Sequence, residues 1–378
     1  MSLPAVTLPT TDDEHWRYSR IRELDLDAWS VAPLSEAGSI DVPPIGARAA
    51  LVVVVDGRLV ASECDLAGVT ISSAGDVAGV RGARTDGVDD LHDRLVVEVV
   101  TIDIAPGTVV HDPIVVVHSL AADGGASAPH LVVRAGADSE VTVVEHRSGG
   151  GRALVLPQVE IDVADAARVR YVDLQLWDRT VWQLGRQSSR VGKESSFTTA
   201  MVALGGDYAR LAVESSIVGS GGSGAMRAVY FGEADQMHDF RTLQDHVAPN
   251  TTSDLLFKGA VAGHSRAVYT GLIHIGKDAR GVNAWQTNRN VKLSEHAWAE
   301  SVPNLEIENN DVRCSHASAV GPVDEEQHFY LESRGVPPEI ADQLIVLGFL
   351  DEVLQHDFPV PGAVPLVRDE LVAKLGRA

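Results

Sequence analysis

Short turn-forming clusters recur at nearly constant spacing through the middle of this chain, and that spacing narrows the folds open to it. AGADS starts at 135, VADAA at 163, VGKES at 191, LGGDY at 204, VGSGG at 218, FGEAD at 231, VAGHS at 261 and IGKDA at 275. The intervals are 28, 28, 13, 14, 13, 30 and 14, each close to one or two steps of about 14 residues. Each step holds an alternating strand such as Glu140-Val141-Thr142-Val143-Val144-Glu145. A fixed period of this kind marks a repeating architecture. Two geometries fit it: a β-helix whose coil takes two steps, and an up-and-down antiparallel sandwich. Valine runs such as LVVVV at 51–55, with aromatics at only 5%, favour strands packed through branched aliphatic side chains.

The flanks read differently. Residues 1–45 form an N-terminal helical region. Asp12-Asp13-Glu14 can start a helix with Trp16, Ile21 and Leu24 on one face, and Val42-Pro43-Pro44 ends the pattern. Residues 46–322 are the β body. Residues 323–378 form a C-terminal helical region. There Asp324 caps a helix from Glu325 to Ser333, Gly335 stops it, and Pro337-Pro338 opens the next. Ile340, Leu344, Leu347, Leu350 and Leu354 follow helical spacing, and Leu366 to Leu375 is a last amphipathic piece. A leucine stripe is more often core than partner surface. Stacked repeats rest on neighbour contacts, so the β body is expected to stay folded without its tail.

Composition removes several function classes. A net charge of −22 repels nucleic-acid backbones and anionic membranes. No stretch approaches the ~20 apolar residues that span a bilayer, and no signal peptide is visible at the start. Two cysteines, Cys64 and Cys314, make no disulfide framework, and a reducing cytoplasm is the simplest home. The glycines at 221, 222 and 224 precede no Lys-Ser/Thr pair, and no G-x-S-x-G elbow occurs, so neither ATPase nor hydrolase activity is expected. His238, His246, His264 and His274, with Asp239 and Asp245, could gather into a metal or acid–base cluster, although turn and surface histidines are the commoner explanation. The rival class is a β-helix polysaccharide lyase or hydrolase acting on acidic glycans. Scarce aromatics argue against it, while Trp177, Trp182, Trp285 and Trp298 do fall in the β region.

The densest chemistry lies in DVRCSHASAVGPVDEEQHFYLESRG, residues 311–335. Cys314 and His316 are two apart in an extended segment, so their side chains share a strand face roughly 7 Å apart. Thiol and imidazole both suit iron, copper or zinc. Gly321-Pro322 then breaks the strand. An iron–sulfur cluster takes four protein ligands, mostly thiolates. With its second cysteine, Cys64, some 250 residues away, this chain cannot supply them alone. Any such site must be completed by another chain, by other ligand types or by small thiols, which points to a shared interface.

The same segment resembles the C-terminal signature of the SufB/SufD family of the SUF iron–sulfur cluster assembly system. Cys314-Ser315-His316, Asp324-Glu325-Glu326-Gln327, Phe329-Tyr330-Leu331 and Ser333-Arg334-Gly335 match the family pattern, with Ala317 where a glycine is usual. Weaker matches run upstream through Pro303, Leu305-Glu306-Ile307, Gln286, Asn288, Gly271 and Lys258-Gly259, to Trp16-Arg17-Tyr18-Ser19 near the start. A short chain without cysteine-rich N-terminal motifs is closer to the SufD branch. The resemblance implies a right-handed parallel β-helix between small helical regions. It implies a non-catalytic scaffold that pairs with a SufB-like subunit and a SufC-like ATPase, with a homodimer as the alternative assembly of the isolated chain. A transient iron–sulfur cluster would be shared with the partner chain and not held stably by this chain alone. His316 is the favoured ligand, Cys314 its neighbouring thiol, and Leu344, Leu347 and Leu350 belong to the ATPase-docking region.

Overall fold

The computed structural model describes residues 1–378 apart from 34–39, 41, 76–85, 122, 357 and 378. The chain winds as a parallel β-helix with two main sheets, and the antiparallel sandwich is excluded by strand direction. One sheet stacks His130–Ala135, Gln158–Val163, Val181–Val191, Tyr208–Ile217, Met237–His246, Arg266–Ile275 and Trp298–Ile307 in parallel. The other stacks Glu140–Gly149, Arg168–Trp177, Ser196–Ala203, Ser223–Gly232, Thr252–Val261, Val282–Lys292 and Val312–Pro322. Register pairs such as Gln158 with Arg186 and Tyr208 with Met237 show why turn clusters recur at two-step spacing: one coil is one strand from each sheet. The parallel ladder has about eight rungs, a stack of roughly 38 Å at ~4.8 Å per rung. Dividing the β body by the repeat length gives ten coils. The difference arises because Arg58–Cys64 and Val69–Ala74 pair antiparallel and Gly87–Leu95 is a helix.

Strand alternation sorts side chains between two environments. On Arg168–Trp177, Val169 and Tyr171 enter the core between the sheets, while Val172 and Leu174 face outward into a second apolar cluster. Alternation alone would expose that outer face. It is buried because the C-terminal region lies on it. Helices α2 (Glu325–Ser333), α3 (Pro338–His356) and α4 (Val364–Leu375) follow the last strand, as the sequence suggests; α1 is Gly87–Leu95, inside the β body and not foreseen. Val346, Leu350 and Val353 of α3 and Val367 and Leu371 of α4 join Val117, Val172, Val202, Val229 and Phe231 in one cluster. Polar anchors fix the arrangement. Lys258 Nζ, on the buried side of Thr252–Val261, donates to Phe349 O at 3.0 Å and pairs with Glu352. Lys374 Nζ donates to Leu204 O and Gln236 Oε1, both at 2.7 Å, and Arg368 joins α4 to Asp351 of α3.

The N-terminal region departs from expectation. Its described residues carry three 3-10 turns, Glu14–Trp16, Ile21–Glu23 and Leu26–Ala28, in place of one amphipathic helix. Trp16, Ile21 and Leu24 are nevertheless buried together, against α1 and the outer face of the first sheet.

The two ends of the solenoid differ. At the N-terminal end, Arg58–Cys64 pairs antiparallel with Ala50–Val55, and Val69–Ala74 pairs antiparallel with Val99–Ile104, so foreign strands cover both sheet edges. At the C-terminal end, Trp298–Ile307 and Val312–Pro322 are the last strands of their sheets, and no described strand pairs with their outer edges.

Candidate metal centre at the open end of the solenoid

The last strand, Val312–Pro322, is held on one side only, by Val282–Lys292, with Cys314 aligned to Ala284 and His316 to Gln286. Val312 and Cys314 pack against the inter-sheet cluster of Ile273, Ile275, Val282 and Ala284. By the two-residue period, His316 lies on that same inward face. On any earlier coil this face would be sealed by the next rung. Here there is none, so Cys314 is half-buried and His316 exposed. Across the coil, Ser301, Pro303, Leu305 and Ile307 occupy the register positions of the inward-facing Tyr269, Gly271, Ile273 and Ile275. Leu305 and Ile307 are 37% and 42% exposed, against 0% for Ile273 and Ile275 one rung below. The open end is thus a section through the core, with a thiol and an imidazole at its rim.

Beneath His316 the interior is polar. Gln286 is 1% exposed, and neither end of its amide has a hydrogen-bond partner among the described residues. Asn288 Nδ2 donates to Tyr230 Oη at 2.9 Å, Tyr230 donates to Asn290 Oδ1 at 2.7 Å, and Asn290 Nδ2 donates to Asn288 Oδ1 at 2.9 Å. Two glycines make room for this lane. A Cβ on Gly271 would stand 2.2 Å from Gln286 Nε2, and one on Gly259 would stand 1.9 Å from the Tyr230 ring. These close approaches give a physical reason for glycine at both positions.

Burial pushes the Cys314 thiol up from its ordinary value. It therefore stays protonated at neutral pH and must lose that proton to bind a metal. Among the described residues no group of three or more His, Cys, Asp or Glu side chains is placed to hold a metal ion. Cys314 and His316 alone make half a coordination sphere. Cys64 sits exposed on the antiparallel strand that caps the opposite end.

The other histidines singled out in the sequence do not form one site. His274 Nδ1 pairs with Asp245 Oδ1 at 2.7 Å, while His264 stacks on His296 at 5.0 Å between ring centroids. Asp239 is bound to Arg210 and Tyr208. His246 is held by Thr251 Oγ1 at 2.7 Å and Ser253 Oγ at 2.8 Å, and burial pulls it down to about 4. His238 meets Phe231 O at 3.3 Å, and burial, reinforced by Lys374, pulls it down to about 3. Both fold neutral, and below the ordinary value of 6.5 the unfolded chain binds protons that the folded chain refuses. Stability therefore falls with pH from 6.5 towards 4. For His246 the loss is on the order of 3 kcal/mol. Denaturant titrations across that window should show a shallower slope in His246→Gln; an unchanged slope would remove His246 as a cause.

Sequence reasoning missed a buried network inside the solenoid. Arg147 donates to Asp173 Oδ2 at 2.6 Å and Glu145 Oε2 at 2.8 Å, His118 Nε2 lies 2.5 Å from Glu145 Oε1, and Tyr171 donates to Glu145. Burial opposes charge on Glu145, yet Arg147 and His118 hold it down to about 2, while burial raises Asp173 to about 6. The available signal was spacing: Glu145 and Asp173 are direct register partners on adjacent rungs.

The three leucines of the docking stripe have different surroundings. Leu350 is 0% exposed within the cluster under α3, Leu347 is partly buried against it, and Leu344 is 49% exposed. Leu350 is thus a core residue of this chain, unavailable to a partner in this packing. Tyr330 of α2, 58% exposed, lines a shallow concavity with Leu344, while Phe329, 72% exposed, lies beside Lys292, Leu293 and Pro322. In the sequence both stand only as part of the family match, because an isolated aromatic pair on a short helix has no periodicity to mark it as a surface.

Comparison with known proteins supplies the context. A family model described as SUF system FeS cluster assembly, SufBD core domain, matches residues 118–349. An iron–sulfur cluster assembly SufBD family protein of Mycobacterium tuberculosis is 36% identical over 277 residues, 71% of this chain and 68% of that protein. A counterpart in Mycobacterium leprae is 35% identical over 255 residues, 65% of this chain and 63% of that protein. One from Staphylococcus epidermidis is 28% identical over 221 residues, 58% and 47% respectively. The matched region contains the Cys314–His316 strand and most of the solenoid, and with it this chain belongs to the SufBD core family of iron–sulfur cluster assembly proteins.

Proposed function

We propose that this chain is a SufD-like, non-catalytic scaffold subunit that pairs through its open coil with a SufB-like subunit and builds a transient iron–sulfur cluster at the junction. The observation that carries this reading is the unfinished end of the solenoid. Two strand edges left unpaired among the described residues, exposed Leu305 and Ile307, and the Cys314–His316 pair occupy one surface. Unpaired edges pair readily with another strand, and a core cut across resembles an obligate interface. A partner stacked there would bury the apolar section and supply the ligands this chain lacks. The nascent cluster is cargo. His316 can bind it and, as a neutral ligand, release it more readily than an anionic thiolate would. Cys314 gives up its raised proton only when metal or sulfur arrives.

The exposed Tyr330 and Leu344 surface of α2 and α3 is the surface we assign to a SufC-like ATPase. That assembly works in the cytoplasm. No described helix is long and apolar enough to cross a membrane. Family membership supports assembly over the glycan-cleaving alternative.

The test is reconstitution. The purified chain alone, whether monomer or homodimer, should bind no stoichiometric iron–sulfur chromophore, whereas its complex with a SufB-like partner should. A stable cluster on the isolated chain would overturn the shared-site reading.

A further inference from the structure

On the outer face of the first sheet, far along the chain from the Cys314–His316 strand, α1 and the Glu14–Trp16 turn roof a cavity of about 150 Å³. Its floor is a register row. Arg186, Ala212, Arg241 and Thr270 lie side by side on four successive strands. Ala212 is therefore a gap between two arginines on strands about 9–10 Å apart. Leu184, Leu243 and Leu272 line the same space.

The polar groups around it are unequally satisfied. Arg186 is used up: it forms two 2.9 Å bonds to Asp89 of α1 and a third to Glu214. Arg210 is also committed, to Asp239 and, at 2.7 Å, to His15 O, with its guanidinium 3.9 Å over the Trp16 ring. Asp86 accepts from Trp16 Nε1 and from Val88 N, both at 2.8 Å. Arg241 is the exception. It is 7% exposed, its Nη1 reaches Glu14 O only at 3.4 Å, and its Nε is 3.5 Å from Asp239 Oδ1. Among the described residues its Nη2 has no acceptor, and Thr270 Oγ1, the next group in the row, has no partner. A buried guanidinium with an idle donor is costly unless something completes it. Burial accordingly pulls Arg241 below its ordinary value, with Arg210 adding to the shift.

We propose that this cavity binds a small monocarboxylic acid with a ring or branched aliphatic body. The carboxylate accepts from Arg241 Nη2 and Thr270 Oγ1, and the body lies over Ala212 among the three leucines. The volume matches: a cavity of ~150 Å³ takes a benzene-sized molecule. Arg210 and Arg241 share Asp239, and Asp86 also acts on Arg210, so that end has no surplus charge and the acid is held by the two open donors, Arg241 Nη2 and Thr270 Oγ1. A phosphate dianion would bring a second, uncompensated charge into a site with Asp86 and Glu214 nearby. The site is independent of the open-end assembly and would hold in the isolated chain.

Calorimetric titration of the full chain with sodium benzoate tests this, with benzyl alcohol as the neutral probe of the same shape. Saturable benzoate binding is expected with Kd on the order of 0.1–1 mM, and benzyl alcohol should bind about tenfold more weakly. Arg241→Met keeps the stem packing and should cost benzoate about tenfold while leaving benzyl alcohol unchanged. Ala212→Leu fills the floor and should abolish both. Should Arg241→Met fail to fold, Thr270→Val carries the same test, with a loss of about fivefold for benzoate alone. No saturable benzoate binding to the wild-type chain, equal affinity for the alcohol, or benzoate affinity indifferent to the side chains at 241 and 270 would each overturn the assignment.

Discussion

His316→Ala, placed in the complex with a SufB-like partner, is expected to lose reconstituted iron while keeping its subunits together. Its melting temperature should stay within about 2 °C of the wild type. His316 is exposed, on a strand with one neighbour, and no packing in its own chain depends on it. On the proposed role, its removal costs a metal bond and little else. Cys314→Ser is a useful contrast, since Cys314 packs against Val282 and Ala284. It should cost both iron and about 1 kcal/mol of stability, because a hydroxyl replaces a half-buried sulfur. The pH profile separates the two further. Iron loading through a thiol with a raised pKa should climb with pH above neutrality, because the proton must leave before the metal binds. His316→Ala should keep that rise at reduced amplitude, and Cys314→Ser should flatten it. A complex with full iron content and a lowered melting temperature in His316→Ala would give this residue a structural role in place of the ligand role.

Much of this was readable from the chain. The clusters at 135, 163 and 191 give the coil length directly, because each coil must close its turns at the same height. The Cys-x-His spacing gives a shared strand face from the two-residue period alone. The direction of that face was not legible, nor the fact that it is exposed only because the stack ends there. Both depend on which coil is last, a property of the stack and not of any window of residues. The outer apolar face of the second sheet was equally hidden. Val172 and Leu174 alternate with Tyr171 and Asp173, so that both faces of the strand are buried, one by the opposite sheet and one by the tail. Helix α1 escaped notice because it interrupts the β body and has no repeat partner, although Asp86 and Asp89 form a capping box around its first turn.

That outer face changes the expectation for the tail. If stacked rungs needed only their neighbours, a chain ending at residue 322 would fold on its own. In this molecule α3 and α4 cover Val117, Val172, Val202, Val229 and Phe231, all essentially inaccessible in the intact chain. Cutting the tail would expose them as one contiguous apolar band and leave Lys258 without Glu352. Patches of that extent drive association. The truncated body is therefore expected to keep its strand circular-dichroism signal but to bind a hydrophobic dye and aggregate at concentrations where the full chain is monodisperse or discretely oligomeric. Point substitutions resolve the same question without a truncation. Leu350→Ala removes a fully buried side chain from the middle of the cluster and should cost about 2–5 kcal/mol. Leu344→Ala, at a half-exposed position, should cost under about 1 kcal/mol of chain stability and appear instead as weaker binding of a SufC-like ATPase. The two leucines sit on one helix, six residues apart, and differ in what covers them: this chain's own sheet for Leu350, and water over about half of Leu344. If Leu350→Ala leaves the unfolding midpoint unchanged, the helix is not held on the sheet in solution. If Leu344→Ala lowers that midpoint as much as Leu350→Ala does, the surface assigned to the ATPase is core.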